Sequence, residues 1–261
     1  MLKLKRGEFH MKYYEQLMEQ RVFDYKDLSE IISENQNTIS SLLRDYIRKH
    51  YIEQIRKGLY VVVSMETGAP AANRFEIGSH ILEGGYISHH SAFEYFGLTN
   101  QMMFTVQVSG KGRFRPFSFD GYEYQSFRER IKEGVLQKEN GIRVTDVERT
   151  VLDSINDLEK VGGLAELCQC LQMIPFLDEE KLLWYMEQYG KQFLYQKAGF
   201  LLEHLKTDLK LSDCFFNKCR EYMGKSKRYF SDTMDRKVLR YSPSWQLYVP
   251  KDFMRMAELE E

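Results

Sequence analysis

The sequence has no long apolar run, little cysteine and few prolines, and these scarcities exclude several classes of protein. No stretch approaches the roughly 18 consecutive apolar residues of a membrane-spanning helix. The first ten residues carry charges without an apolar core behind them, which is not typical of a secretory signal. Four cysteines in 261 residues are too few for a disulfide scaffold. We therefore expect a cytoplasmic protein with reduced thiols.

Charge of either sign is not in excess, because 37 basic side chains stand against 38 acidic ones and the net charge is −1. This balance excludes a uniformly basic nucleic-acid coat but leaves room for a local basic patch. A hydrophobic fraction of 43% with 29% charged residues predicts a buried core and excludes a disordered chain. The length predicts one large domain or two small ones.

The common catalytic and cofactor motifs are missing as well. The sequence contains no GxGxxG, GxxxxGKS/T, HExxH or GxSxG pattern. Cys168 and Cys170 are spaced too tightly for a zinc knuckle, and Cys168 falls on an apolar stripe, which predicts a core thiol. His89 and His90 are adjacent, so on a helix they do not face one another. We expect no enzymatic activity, no metal and no cofactor.

The first sixty residues predict three helices followed by a hairpin. Apolar spacing indicates helices over residues 11–19, 25–33 and 36–49, with a turn over 22–24. Asp24 is the predicted N-cap of the second helix. Strand-prone residues over 52–55 and 59–63 flank the basic turn Arg56-Lys57-Gly58. This order is typical of a winged helix-turn-helix domain, which we assign to residues 1–63.

The rest of the chain divides into a linker and a larger body. Residues 64–73 combine Gly, Pro and small side chains and form the predicted linker. The body, 74–261, is predicted to be mixed α/β over 74–160 and mostly helical over 161–261, so the fold class is α+β.

Within the body, local patterns predict the individual elements. Helices are expected over 74–82 and 88–96, and strands over 86–87, 103–108, 114–119, 122–127, 134–138, 142–144 and 245–249. Thr145 and Glu148 fit a capping box at the start of a helix that carries Val147, Val151, Leu152 and Ile155.

The third predicted helix has the residue types of a DNA recognition helix. Its polar side chains are Gln36, Asn37, Ser40, Ser41, Arg44 and Arg48. Asn and Gln can pair with adenine and Arg with guanine, while Ser is short enough for close approach of the backbone. Arg56 and Lys57, at the predicted wing tip, would meet phosphate or the minor groove. The alternative is a three-helix domain for protein contacts whose polar face is only solvated.

A second basic segment covers residues 210–240, where nine basic and four acidic side chains give a net charge of +5. Tyrosine and phenylalanine are interleaved with these charges, a mixture that suits a nucleic-acid surface. The alternative is a solvated face with its aromatic rings in the core.

Three clustered carboxylates allow a weaker catalytic hypothesis. Asp146, Glu148 and Asp153 could hold a metal in a nuclease-like site. The capping box already accounts for Glu148, however, which favours a structural role for this cluster.

Two stretches carry a resemblance to a known family. They are YISHHSAFEYFGL (86–98) and VTDVERTVLD (144–153), and they follow the N-terminal pattern that ends in RKGLYVV. In order and spacing, residues 8–200 resemble the AbiEi-type antitoxins of bacterial AbiE abortive-infection systems, which are type IV toxin–antitoxin modules. Val147 departs from the family pattern, which has proline there, and this should matter little at the first position of a helix.

The resemblance implies a repressor and antitoxin. The N-terminal domain would bind inverted repeats in double-stranded operator DNA of its own promoter, and the body would neutralise a nucleotidyltransferase-like toxin without forming a stable complex. Lys218, Arg220, Lys225 and Lys227 are our candidate residues for the protective surface. Two alternatives remain, a winged-helix regulator with a ligand-sensing body and the nuclease-like enzyme.

Overall fold

The computed structural model describes residues 13–32, 34–231 and 236–257. Its helices are α1 (Tyr14–Gln20), α2 (Tyr25–Ile31), α3 (Gln36–Arg48), α4 (Arg74–His80), α5 (His89–Phe96), α6 (Val147–Asn156), α7 (Leu164–Gln172), α8 (Glu179–Tyr189), α9 (Gln192–His204), α10 (Asp213–Tyr222) and α11 (Phe253–Ala257). Its strands are β1 (Val22–Asp24), β2 (Ile52–Arg56), β3 (Leu59–Val62), β4 (Tyr86–Ile87), β5 (Thr105–Gly110), β6 (Phe117–Phe119), β7 (Tyr122–Arg128), β8 (Val135–Gln137), β9 (Arg143–Thr145), β10 (Arg228–Tyr229), β11 (Leu239–Ser242) and β12 (Leu247–Pro250). The chain is a mixed α and β structure with several sheets, which is compatible with the predicted α+β class.

Residues 13–63, here the N-terminal unit, combine three helices with an antiparallel sheet of order β1–β3–β2. The predicted cap of α2 is present as a capping box, in which the Asp27 N–H donates to Asp24 Oδ1 at 2.9 Å and Asp27 Oδ2 accepts from the Asp24 N–H at 2.8 Å. The predicted start of the first helix at Met11 and the predicted end of the second at Ser33 lie outside the described residues.

The predicted turn over 22–24 is wrong, because these residues form the strand β1. Val22 pairs with Val61, and Asp24 pairs with Leu59. Local composition did not indicate this strand, since its partner lies about forty residues further along the chain and a three-residue strand has no periodicity of its own.

The N-terminal unit packs directly on residues 74–257, here the body. Val22, Leu59 and Val61 belong to one hydrophobic cluster with Ile77 and Ile81 of the body. The predicted linker over 64–73 is a hydrogen-bonded connection, in which the Ser64 N–H donates to the Ala69 carbonyl and the Ala71 N–H to the Val62 carbonyl, both at 2.8 Å. The two parts therefore share an apolar contact surface.

The middle of the body is built on a six-stranded sheet of order β6–β7–β5–β4–β9–β8. Strand β4 pairs parallel with β9 and antiparallel with β5. Helix α4 approaches this sheet so closely that a Cβ on Gly78 would lie 2.7 Å from the Ile87 side chain. The absence of a side chain at residue 78 thus allows the close packing of helix on sheet.

The predicted capping box at Thr145 and Glu148 is wrong by one residue at its first position. The N-cap of α6 is Asp146, whose side chain accepts from the Arg149 N–H at 2.9 Å. Thr145 is the last residue of β9 and pairs with Val135, so its backbone belongs to the sheet. The Thr145 hydroxyl instead contacts the Thr150 hydroxyl at 2.7 Å, and Glu148 binds the Lys181 ammonium at 2.8 Å.

Helices α7–α10 form the predicted helical part of the body, and a small sheet of order β10–β12–β11 is added to it. Trp245 lies two residues before β12 and packs on α9, where a Cβ on Gly199 would lie only 2.1 Å from its ring. This contact attaches the small sheet to the helices. The strand predicted over 245–249 is present as β12. Within the described ranges, no helix has the length and apolar character needed to cross a bilayer.

Asp146→Ala should lower the free energy of unfolding by about 2–4 kcal/mol, because α6 loses its cap and buried hydrogen bonds to a carboxylate are lost with it. Asp178→Ala is the matched control, since Asp178 caps α8 from an exposed position. Its cost should stay at about 0.5–2 kcal/mol. Urea denaturation measures both, and equal losses would contradict this description of Asp146.

Candidate functional site

The outer side of α3 presents a continuous polar surface. Its 13 residues extend about 20 Å, at a rise of about 1.5 Å per residue. Asn37, Ser41, Arg44 and Arg48 follow one another at helical spacing along a single stripe, with Gln36 and Ser40 beside it. All six side chains are exposed. The structure therefore brings together on one surface the six residues predicted for α3.

The inner side of α3 fixes this surface relative to the rest of the N-terminal unit. Ile39, Leu43 and Tyr46 are buried in a cluster with residues of α1, α2 and the sheet. The N-cap Asn35 accepts from the Thr38 N–H at 3.0 Å, and the Tyr25 hydroxyl donates to the Gln36 carbonyl at 3.3 Å. The helix is thus held at its start and along its length.

The single acid of α3 is neutralised by its neighbours. Asp45 is bonded to Arg48, and its second oxygen lies 2.7 Å from Lys49 Nζ. The hydrogen bond from Lys49 and that from Arg48 lower the pKa of Asp45 below its usual value. Arg44 lies one turn before Arg48, and its Nε donates to the Ser40 carbonyl at 3.2 Å. The exposed stripe consequently carries no uncompensated negative charge.

The predicted wing tip provides one exposed cation instead of two. Gly58 has a φ of +84°, which allows the tight turn between β2 and β3, and Lys57 is exposed there. The Arg56 guanidinium instead lies 5.6 Å from the Phe114 ring centroid and 5.9 Å from that of Phe117, both in the body. It therefore contributes to the contact between the two parts of the chain, and not to an open phosphate-binding tip.

The second basic segment also contains both exposed cations and a cation that is paired within the protein. Lys218, Lys225 and Lys227 are exposed, and Lys227 lies 5.0 Å from the Tyr241 ring centroid. Arg220 is bonded to Glu203 and lies 4.7 Å from the Trp245 ring centroid. Because its guanidinium is paired with Glu203 and lies over the Trp245 ring, Arg220 is not a free cation of a basic surface.

The aromatic residues of this segment have mixed environments. Phe230 is buried, while Tyr229 and Tyr241 pack against Tyr248. Tyr222 is exposed. Residues 232–235 of the segment lie outside the described residues. Only part of the segment therefore matches the pattern of exposed rings and charges.

The three carboxylates of the nuclease-like hypothesis are each bound by protein donors. Asp146 accepts from the Tyr185 hydroxyl at 2.6 Å, and Lys181 lies between Asp146 and Glu148. Asp153 pairs with Arg149 of the same helix at 2.9 Å and accepts from the Tyr189 hydroxyl of α8, and burial raises the pKa of this carboxyl to about 6. These contacts give each carboxylate a role in holding α6 to its surroundings, and they do not leave an open set of metal ligands.

A buried polar group between α5 and α7 was missed by the sequence patterns. It comprises His90 and Glu94 of α5 with Glu166 and Cys170 of α7. Burial acts to lower the pKa of His90, but its hydrogen bonds to both glutamates outweigh this and raise it above the usual value. The i, i+4 spacing within each helix was the available signal, yet it does not indicate that the two helices face each other. The other cysteine of α7, Cys168, is the core thiol that was predicted, and burial raises its pKa to about 12.

Comparison with known proteins finds a likeness in fold. No family model and no curated protein matches the chain. Among solved structures, the RV2827C protein from Mycobacterium tuberculosis matches with a TM-score of 0.61 at 14% sequence identity, over 94% of this chain and 93% of that chain. At this level of identity the likeness concerns the fold alone.

Arg56→Ala should reduce the free energy of unfolding by about 1–2 kcal/mol, because the cation–π contacts with Phe114 and Phe117 are lost. Lys57→Ala, at the exposed neighbouring position, should change it by less than about 0.5 kcal/mol. Thermal or urea unfolding of the two variants checks this. If Arg56→Ala were as stable as Lys57→Ala, the contact would carry no energy.

Proposed function

We propose that the N-terminal unit is a winged helix-turn-helix domain and that α3 reads the major groove of double-stranded operator DNA. The observation that carries this proposal is the exposed stripe of α3, which spans the helix and has its only acid paired with two cations. A major groove about 12 Å wide admits one α-helix. The body, in this proposal, belongs to an antitoxin of the AbiEi type that represses its own operon.

The order of elements supports the DNA-binding part of the proposal. Helix α3 is preceded by α1, β1 and α2 and followed by the β2–β3 hairpin, which is the order of a winged helix. The hairpin turn places Lys57 at an exposed position. Of the five basic side chains in residues 35–63, Arg44, Arg48, Lys49 and Lys57 are exposed, which suits a phosphate backbone.

The side chains of the stripe suit direct reading of bases. Gln36 and Asn37, in the first turn, can each bond to adenine through two atoms, and Arg44 can do so to guanine. Ser40 and Ser41 lie between them and are small enough to let the helix approach the base edges. Arg48, which is bonded to Asp45, suits a phosphate contact further along the groove.

The antitoxin role rests on the resemblance of residues 86–98 and 144–153 to the AbiEi-type family. The exposed Lys218, Lys225 and Lys227 would form the protective surface, which could compete for an anionic partner such as RNA or nucleotide. The functional partner is a nucleotidyltransferase-like toxin that is counteracted without a stable complex. A reading frame for such a protein directly downstream would favour this role over that of a regulator without a toxin.

A specific observation also favours the ligand-sensing alternative. A groove of about 640 Å³ lies between α8, α9 and α10, and its lining includes Trp184, Lys191, Tyr195 and Tyr222. Its size is that of small-molecule sites in general, and it offers both rings and cations. Release of operator DNA by a small molecule, in a genome lacking the downstream toxin gene, would support this second function.

Arg44→Ala should weaken binding to the DNA upstream of the gene by about 1–3 kcal/mol, roughly 5- to 150-fold, if the guanidinium binds guanine through two hydrogen bonds. Arg44→Lys is the matched variant, because it keeps the charge and loses the planar fork. It should retain affinity for random DNA and lose base preference. Fluorescence anisotropy at fixed salt measures both, and equal losses on operator and random DNA would reduce Arg44 to a phosphate contact.

Charge reversal of Lys218, Lys225 and Lys227 together should abolish protection from the toxin while repression persists, because the proposed surface changes sign. Arg220 is left unchanged, since its contacts with Glu203 and Trp245 are structural. Reversal of the exposed Lys111, Lys132 and Lys138 is the control. Growth beside the toxin, at equal protein abundance, is the readout, and rescue by the first triple variant would place the protective surface elsewhere.

A further inference from the structure

Two helices of the body place pairs of polar side chains against each other in the interior. His90 and Glu94 lie one turn apart on α5, and Glu166 and Cys170 lie one turn apart on α7. The side chains of His90, Glu94 and Glu166 are 0%, 5% and 5% exposed, and Cys170 is fully buried. Burying ionisable side chains costs free energy unless they are paired with one another or coordinate a metal.

The distances within this group are short enough for a shared ligand. Glu166 Oε1 lies 2.9 Å from His90 Nε2 and 3.5 Å from Cys170 Sγ. The ligand atoms of His90, Glu166 and Cys170 all lie within 4.8 Å of one another. In the described ranges, these three residues have the spacing needed to hold one metal ion. One nitrogen, one oxygen and one sulfur donor thus converge from two helices.

The two carboxylate oxygens of Glu166 differ in their hydrogen bonding. Glu166 Oε1 accepts from three side chains, including the Thr99 hydroxyl at 2.8 Å. Glu166 Oε2 is buried and has no hydrogen-bond partner among the described residues. A buried carboxylate oxygen without a partner is costly, and it indicates a ligand that the protein does not itself supply.

The surroundings of His90 orient its ring for metal binding. Its Nδ1 lies 3.0 Å from Glu94 Oε1, and Glu94 is also bonded to Arg74. A carboxylate that accepts from Nδ1 orients the imidazole, so that Nε2 can offer its lone pair to a metal once the metal displaces the Nε2 proton. Nε2 is the ring atom that faces Glu166.

We propose that His90 Nε2, the Glu166 carboxylate and Cys170 Sγ bind one divalent zinc-type cation, with a fourth position left for water or the Thr99 hydroxyl. A donor set of imidazole, carboxylate and thiolate suits Zn²⁺, which takes four ligands in tetrahedral geometry. The cation replaces two protons, one on His90 Nε2 and one on Cys170 Sγ, so the buried charge is unchanged. Because α5 packs at the six-stranded sheet and α7 in the helical part, the ion links these two regions of the body.

The test uses full-length protein that carries Cys214→Ser, since Cys214 is exposed and could bind metal on its own. The protein is purified without a histidine tag and titrated with Co²⁺ alone. We expect one ion per chain, with a thiolate-to-cobalt charge-transfer band in the near ultraviolet. Glu94→Gln should weaken the affinity about 10- to 100-fold.

Cys170→Ala should lose the charge-transfer band, and Cys168→Ala is the matched control, because Cys168 is equally buried on the same helix but is not among the three residues whose ligand atoms converge. The control should keep the band. A folded starting protein without the band, or a band that survives Cys170→Ala, would overturn the proposal.

A second measurement needs no variant at the site and remains informative if Cys170→Ala does not fold. X-ray absorption at the zinc edge of zinc-loaded protein should detect one sulfur at about 2.3 Å, together with nitrogen and oxygen ligands. No sulfur in the zinc shell, or more than one, would overturn the proposal.

Discussion

Strand β3 buries side chains on both faces of the N-terminal sheet, and this double burial determines which sides of the N-terminal unit are covered. Val62 packs with Phe23 and Ile52 under the three helices. Val61, on the opposite face, packs with Ile77 in the body. Since successive residues of a strand point to opposite faces, one strand fastens the helices on one side and the body on the other. The outer side of α3 is among the surfaces that this arrangement leaves exposed.

Two polar contacts reinforce the same orientation. Arg21 donates to Glu76 at 3.2 Å, and the Glu76 side chain is almost completely buried. Arg56 lies over two phenylalanine rings of the body. Both arginines thus serve the contact between the two parts of the chain, whereas Lys57 and the arginines of the α3 stripe stay exposed on the outside of the N-terminal unit.

Periodicity predicted those elements whose secondary structure follows from the spacing of their own apolar side chains. Helix α3 spans Gln36–Arg48 against a prediction of 36–49, because Ile39, Leu43 and Tyr46 repeat at the spacing of a buried helix face. Strand β1 was missed because only its pairing with β3 makes it a strand. The cap of α6 was displaced by one residue because Thr145 is engaged in β9, which a local Thr-x-x-Glu pattern does not reveal.

The candidate sites also differ in whether they follow from local spacing or from contacts between distant parts of the chain. The α3 residues were predictable because exposure on a helix follows from spacing alone. The sequence predicts Arg56 and Arg220 as surface cations, since it does not reveal that rings from distant parts of the chain, Phe114 and Trp245, lie beside them. The group of His90, Glu94, Glu166 and Cys170 needed the packing of α5 against α7, which no spacing within one helix contains.

The central claim, that the exposed side of α3 reads a specific DNA sequence, is tested most directly by one competition experiment. Unlabelled DNA from upstream of the gene and a scrambled DNA of the same length and composition compete for the full-length protein at one physiological salt concentration. The account predicts that the upstream DNA binds roughly 10³-fold tighter or more, as sequence-specific proteins do. Equal affinity for the two DNAs would contradict it.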